Sequence, residues 1–84
     1  VTNLIAPMSQ PSSLYICDSL NHRILVWNAD DQQMRVIGGH TGSFGSDATR
    51  LFRPFSLALD ERRNYLYIAD QANHRIQRVD LNSR

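Results

Sequence analysis

Apolar residues fall along the chain in short clumps: LYIC at 14–17, ILVW at 24–27, MRVI at 34–37, FSLAL at 55–59, YLYIA at 65–69 and RIQRV at 75–79. Each is rich in β-branched, aromatic or leucine side chains and is bounded by Asp, Asn, Ser, Gly or Pro, the pattern of short β-strands. The leading VTNLIA, stopped at Pro7, adds one more strand. No helical periodicity runs long enough to compete. The pattern predicts strands over 1–6, 13–18, 22–28 and 34–38, and again over 55–60, 65–70 and 74–80.

Connection lengths then order these strands. Tight polar turns at Asp18–Asn21, after Trp27 and at Asp70–Asn73 predict antiparallel neighbours. One long polar connection, GGHTGSFGSDATRLFRP, separates the two groups; a loop of that length moves the chain between sheets or carries function. The expected architecture is all-β: a four-stranded antiparallel meander over 1–38, a connection over 39–54, and three strands of a second meander over 55–84. Short meanders repeated at this spacing are the pattern of β-propeller blades. Blades bury both faces against neighbours, which accounts for ILVW being apolar throughout.

The repeat is explicit in the residues. LYICDSLNHRI (14–24) returns 52 positions later as LYIADQANHRI (66–76). Asp18 and Asp70 end a strand, where a carboxylate can accept backbone N–H bonds from the turn. Asn21 and Asn73 tolerate the left-handed or bridge conformations that close such turns. Arg23 and Arg75 open the next strand, placed to tie a neighbouring blade through its Asp or its backbone carbonyls. Recurrence at fixed spacing favours a structural role for all six, with His22 and His74 exposed beside them.

These residues resemble the NHL repeat, named for its Asn-His-Leu triplet and often written with Asn-His-Arg-Ile in its place. RPFSLALD (53–60) is similar to the Pro-led first strand of that repeat, and VIGGHTGSFGSDATRLFRP to its Gly-rich connection between blades. The resemblance covers nearly the whole chain and implies a β-propeller, usually of six blades. Two departures stand out: two blades cannot close a ring, and APMSQPSS replaces the usual Asp-and-Gly turn after the first strand. The chain opens on Val1 without Met or leader, so an excerpt of a longer propeller is expected. Self-association of three copies reaches six blades by arithmetic alone.

Composition narrows the chemistry. Nine Arg and no Lys face seven Asp and one Glu, a net charge of +1 that by itself implies neither a nucleic-acid nor a membrane partner. No apolar run reaches the length of a membrane span. The single cysteine, Cys17, excludes an intrachain disulfide framework; aligned with Ala69 inside a strand, it reads as a small core residue.

The Gly-rich connection is not a phosphate loop, because it lacks the Gly-Lys-Ser/Thr ending and no helix follows it. His22, His40 and His74 show no ligand spacing, and no nucleophile elbow is present. No catalytic residue, metal site or cofactor is therefore assigned.

In a propeller, the connection and both Asp-to-His turns share one rim, which makes His22, His40, Arg50, Arg53 and His74 the candidate contact residues. The expectation is a noncatalytic scaffold that binds a protein partner there. The resemblance also leaves two alternatives. One is RNA binding by an arginine-bearing face, as in NHL propellers of tripartite-motif ubiquitin ligases. The other is part of a propeller enzyme of the amidating-lyase or lactonase sort, whose metal ligands point into the central channel.

Overall fold

The computed structural model describes residues 3–8 and 12–83. Positions 1–2 of the expected first strand, 9–11 of the APMSQPSS turn and residue 84 of the second unit lie outside the described residues. The fold is all-β. β1 (Asn3–Ile5), β2 (Ser13–Asp18), β3 (Arg23–Asn28) and β4 (Gln33–Gly39) form one antiparallel sheet in chain order. β5 (Ser56–Asp60), β6 (Tyr65–Asp70) and β7 (Arg75–Asp80) form a second. This is one complete four-stranded blade and three strands of another. Single 3-10 turns at Ser19–Asn21, Gln71–Asn73 and Leu81–Ser83 are the only helical pieces described, and no helix is long and apolar enough to cross a membrane.

Strand ends differ from the expected ones for local reasons. β3 and β7 begin at Arg23 and Arg75, because His22 and His74 before them are left-handed, with φ of 57° and 54°. Leu25 opposes Val36 while Ile24 opposes Gly38, so Ile37 is the extra residue of a bulge in β4. The bulge bends that strand, and Ile37 ends up buried in the core.

The two sheets stack through alternating side chains. Tyr15 and Cys17 of β2, with their cross-strand partners Val26 and Ile24, share one face of the first sheet. Leu66 and Ile68 of β6, with Leu57 of β5, answer from the second, and Leu51 joins them from the connection. Gly38 sits where an added methyl would lie 3.4 Å from Ile68 Cδ1, so the missing side chain admits the second sheet. Each buried aliphatic side chain here is worth about 1.5–3 kcal/mol. The opposite face of the first sheet carries another apolar row, Leu4–Ile16–Leu25–Val36, across all four strands. ILVW is thus apolar throughout because Ile24 and Val26 face the second sheet while Leu25 and Trp27 face away.

Candidate functional site

The two Asp-to-Arg turns share one backbone. Asp18 (φ −100°, ψ 79°) and Asp70 (φ −85°, ψ 73°) lead into their 3-10 turns, and the left-handed His22 and His74 close them. In each, the His N–H donates to the carbonyl of the turn's first residue, Ser19 or Gln71. Two expectations change here. The left-handed residue is the His rather than Asn21 or Asn73. In addition, the Asp carboxylates cap none of their own turn's N–H groups. They accept side-chain donors instead: Asn21 Nδ2 at 3.1 Å and Arg23 Nε at 2.8 Å on Asp18, and Asn73 Nδ2 at 2.9 Å and Arg75 Nε at 2.7 Å on Asp70. Freed from the strained position, each Asn uses its amide to brace the carboxylate. Partial burial works to raise the Asp18 carboxyl, but hydrogen bonds from Arg23 and Asn21, with the Arg23 charge, outweigh it and hold it below the ordinary carboxylate value.

The long connection runs between these turns and touches both. Gly39 leaves β4 at φ 75°, and a side chain there would collide with the His22 backbone, so only glycine fits. Gly42 N–H then donates to Asn21 O. Further on, Asp47 is a local organiser: the Thr49 hydroxyl and N–H, and then Arg50, hold its carboxyl down to about 2. The Thr49 hydroxyl donates to Asp47, so it accepts from His40 Nε2–H, 3.2 Å away. The connection then lies down on the second turn and enters β5 past Pro54, whose carbonyl accepts from Ser19 Oγ and Cys17 Sγ.

Of the expected contact residues, His22 and Arg53 are brought together: Arg53 N–H donates to His22 Nδ1 at 3.0 Å, which leaves Nε2 as the neutral ring's N–H donor. His22 is half-buried, not exposed as expected, because two rings pack on it. Phe44 and Phe52 stack at 4.4 Å, and both present to His22 edge-on at 5.3 and 5.7 Å. Phe44 nonetheless remains 57 % exposed. His40 and Arg50 belong to a separate group around Asp47 and also wall a cleft of about 390 Å³ between β4 and β7. His74 stands exposed at the second turn. Sequence reasoning passed over Phe44 and Phe52; the available signal was two bulky rings inside an otherwise small, polar connection. Among the described residues, no group of three or more His, Cys, Asp or Glu gathers as a metal site would require.

The chain is similar to NHL repeat-containing protein 2 of Bos taurus (32 % identical over 77 residues) and of Homo sapiens (31 % over 77 residues). The similarity covers 84 % of this chain and 10 % of each relative, so the chain spans about a tenth of the length of the curated relatives it matches. No family model matches the chain.

Proposed function

We propose that the chain is a two-blade portion of an NHL-repeat propeller and serves as a noncatalytic scaffold that binds a protein partner through its loop-bearing rim. Residues 1–38 are read as the first blade, 39–54 as the connection and 55–84 as the second blade. The repeated turns and the similarity to NHL repeat-containing proteins support the scaffold. The observation that carries the binding reading is the Phe44–Phe52–His22 cluster. A stacked ring pair with one member more than half exposed, beside an imidazole N–H and the exposed Arg53, has the aromatic-plus-arginine composition of interaction hot spots.

Charge weighs against RNA on the same rim. Arg23, Arg50 and Arg75 each have a carboxylate partner. Of the four rim arginines, only Arg53 has none among the described residues, and phosphate recognition draws on uncommitted cations.

The test is photo-crosslinking with benzoylphenylalanine placed at Phe44 or, on the opposite rim, at Arg62. A discrete, nuclease-resistant protein adduct from position 44 and none from position 62 is expected. Equal labelling from both positions would overturn the assignment, and adducts removed by nuclease would turn it toward RNA.

A further inference from the structure

The second turn shows what its Asp-Asn-Arg set is built to hold. Asp70 Oδ1 accepts the Phe52 N–H at 2.7 Å. Asn73 Nδ2 donates to Gly45 O at 2.7 Å. Arg75 Nη1 donates to Ser46 O at 2.7 Å, and Nη2 to both Asp47 O and Arg50 O at 2.8 Å. The set therefore reads one backbone N–H and four backbone carbonyls of a single segment, Gly45–Phe52, and none of that segment's side chains.

The first turn repeats these three residues with the same backbone and the same internal bonds. Among the described residues, the one further side-chain bond made by these three residues runs from Arg23 Nη1 to Thr41 Oγ1, at 3.2 Å. Asp18 Oδ1 and Arg23 Nη2 find no partner among the described residues, and the Asn21 side-chain amide bonds only to Asp18 among them.

We infer that Asp18, Asn21 and Arg23 form a backbone-binding socket for an extended connecting segment from another blade, gripped as Asp70, Asn73 and Arg75 grip Gly45–Phe52. The ligand class is a peptide main chain that presents one N–H to Asp18 Oδ1 and carbonyls to Asn21 and the Arg23 fork. A planar guanidinium with several donors in fixed geometry suits a set of converging carbonyls. The socket follows from the internal repeat and does not depend on what the rim binds.

Strand register says where such a segment enters. Leu4 pairs with Ile16 as Leu57 pairs with Ile68. The first strands of the two blades are therefore 53 positions apart in sequence, and Arg53 answers to the position just ahead of Val1.

A copy of Gly39–Arg53 joined directly ahead of Val1 is thus in register for the socket, at the high effective concentration of a tethered ligand. The graft is compared with a scrambled graft of equal length, each with and without Arg23→Ala, by thermal unfolding. The native-order graft is expected to raise the midpoint by roughly 5 °C or more over the scrambled one, a shift of the size that a few net hydrogen bonds give a domain this small. Arg23→Ala should abolish that gain while changing the scrambled chain much less. Equal midpoints for the two grafts, a gain that survives Arg23→Ala, or no cooperative transition in the native-order graft would each overturn the socket.

Discussion

The two turns share sequence and backbone yet differ in what surrounds them. The Asp70 side chain is completely buried, whereas that of Asp18 keeps 13 % of its surface exposed. Both carboxylates take the same pair of side-chain donors, and both are followed by a left-handed His. The difference lies in the Gly45–Phe52 segment, which arrives from elsewhere in the chain and whose backbone is gripped by the Asp-Asn-Arg set of the second turn and not by that of the first. Local sequence thus sets the conformation of the turn, and a non-local segment sets what that conformation is worth. The second turn acts as a clasp between connection and blade, and the first is the same clasp without that segment.

The largest expected effect tests this contrast directly. Asp70→Ala strips partners from Arg75 and Asn73 and leaves the Phe52 N–H unsatisfied in a partly buried place. The expected cost is about 3 kcal/mol, the range for removing one member of a buried, hydrogen-bonded pair. Asp18→Ala removes a more exposed pair and should cost about 1 kcal/mol or less. Urea midpoints of the two variants measure the difference, and equal losses would break the comparison. A subtler version keeps the charge. Arg75→Lys retains a cation beside Asp70 but loses the fork that reaches three carbonyls, for an expected cost of about 1–2 kcal/mol. Arg23→Lys has only Asp18 and Thr41 to lose, so it should lie within about 0.5 kcal/mol of the parent.

How much of this was legible beforehand follows the same division between local and non-local. The seven strands were readable from clump length and punctuation, because short runs rich in β-branched, aromatic and leucine side chains between turn-forming residues mark strands. The duplicated Asp-Asn-His-Arg set was readable as a repeat, because the same residues recur 52 positions apart. The detail inside the turns was not. Asn is the better-known left-handed residue, and nothing in DSLNHRI shows that the carboxylate will claim its amide and pass the positive φ to His22. The segment that Arg75 grips lies 25 to 29 positions before it, beyond any local pattern. The aromatic cluster was missed for a related reason. Phe44 and Phe52 are eight positions apart in an irregular connection, and only the path through Gly45, whose N–H donates to Leu51 O, folds one ring onto the other.

The smallest expected effect concerns acid, and it too belongs to the second clasp. Asp47 supplies a backbone carbonyl to Arg75, while its side chain, bonded to Thr49 and Arg50, shapes the segment that Arg75 holds. Its carboxyl is lowered from 3.8 to about 2. A carboxyl whose folded value lies below its unfolded value contributes stability above the unfolded value and loses that contribution as pH falls through the folded one. The Asp47 contribution is therefore complete above about pH 4 and gone near pH 2, and the lowered Asp18 carboxyl acts in the same direction. Asp47→Asn should flatten the acid limb of the stability curve between those limits, because the amide cannot titrate. Its effect at neutral pH should be small, since the group is exposed and solvent screens it. Asp18→Asn should flatten the same limb less, because burial already works against its ionised form. Urea midpoints taken every half pH unit from 5 to 2 would separate the two variants. An unchanged acid limb in Asp47→Asn would show that the seated segment keeps its shape without that carboxylate, leaving Arg75 and Asp70 alone to account for the second clasp.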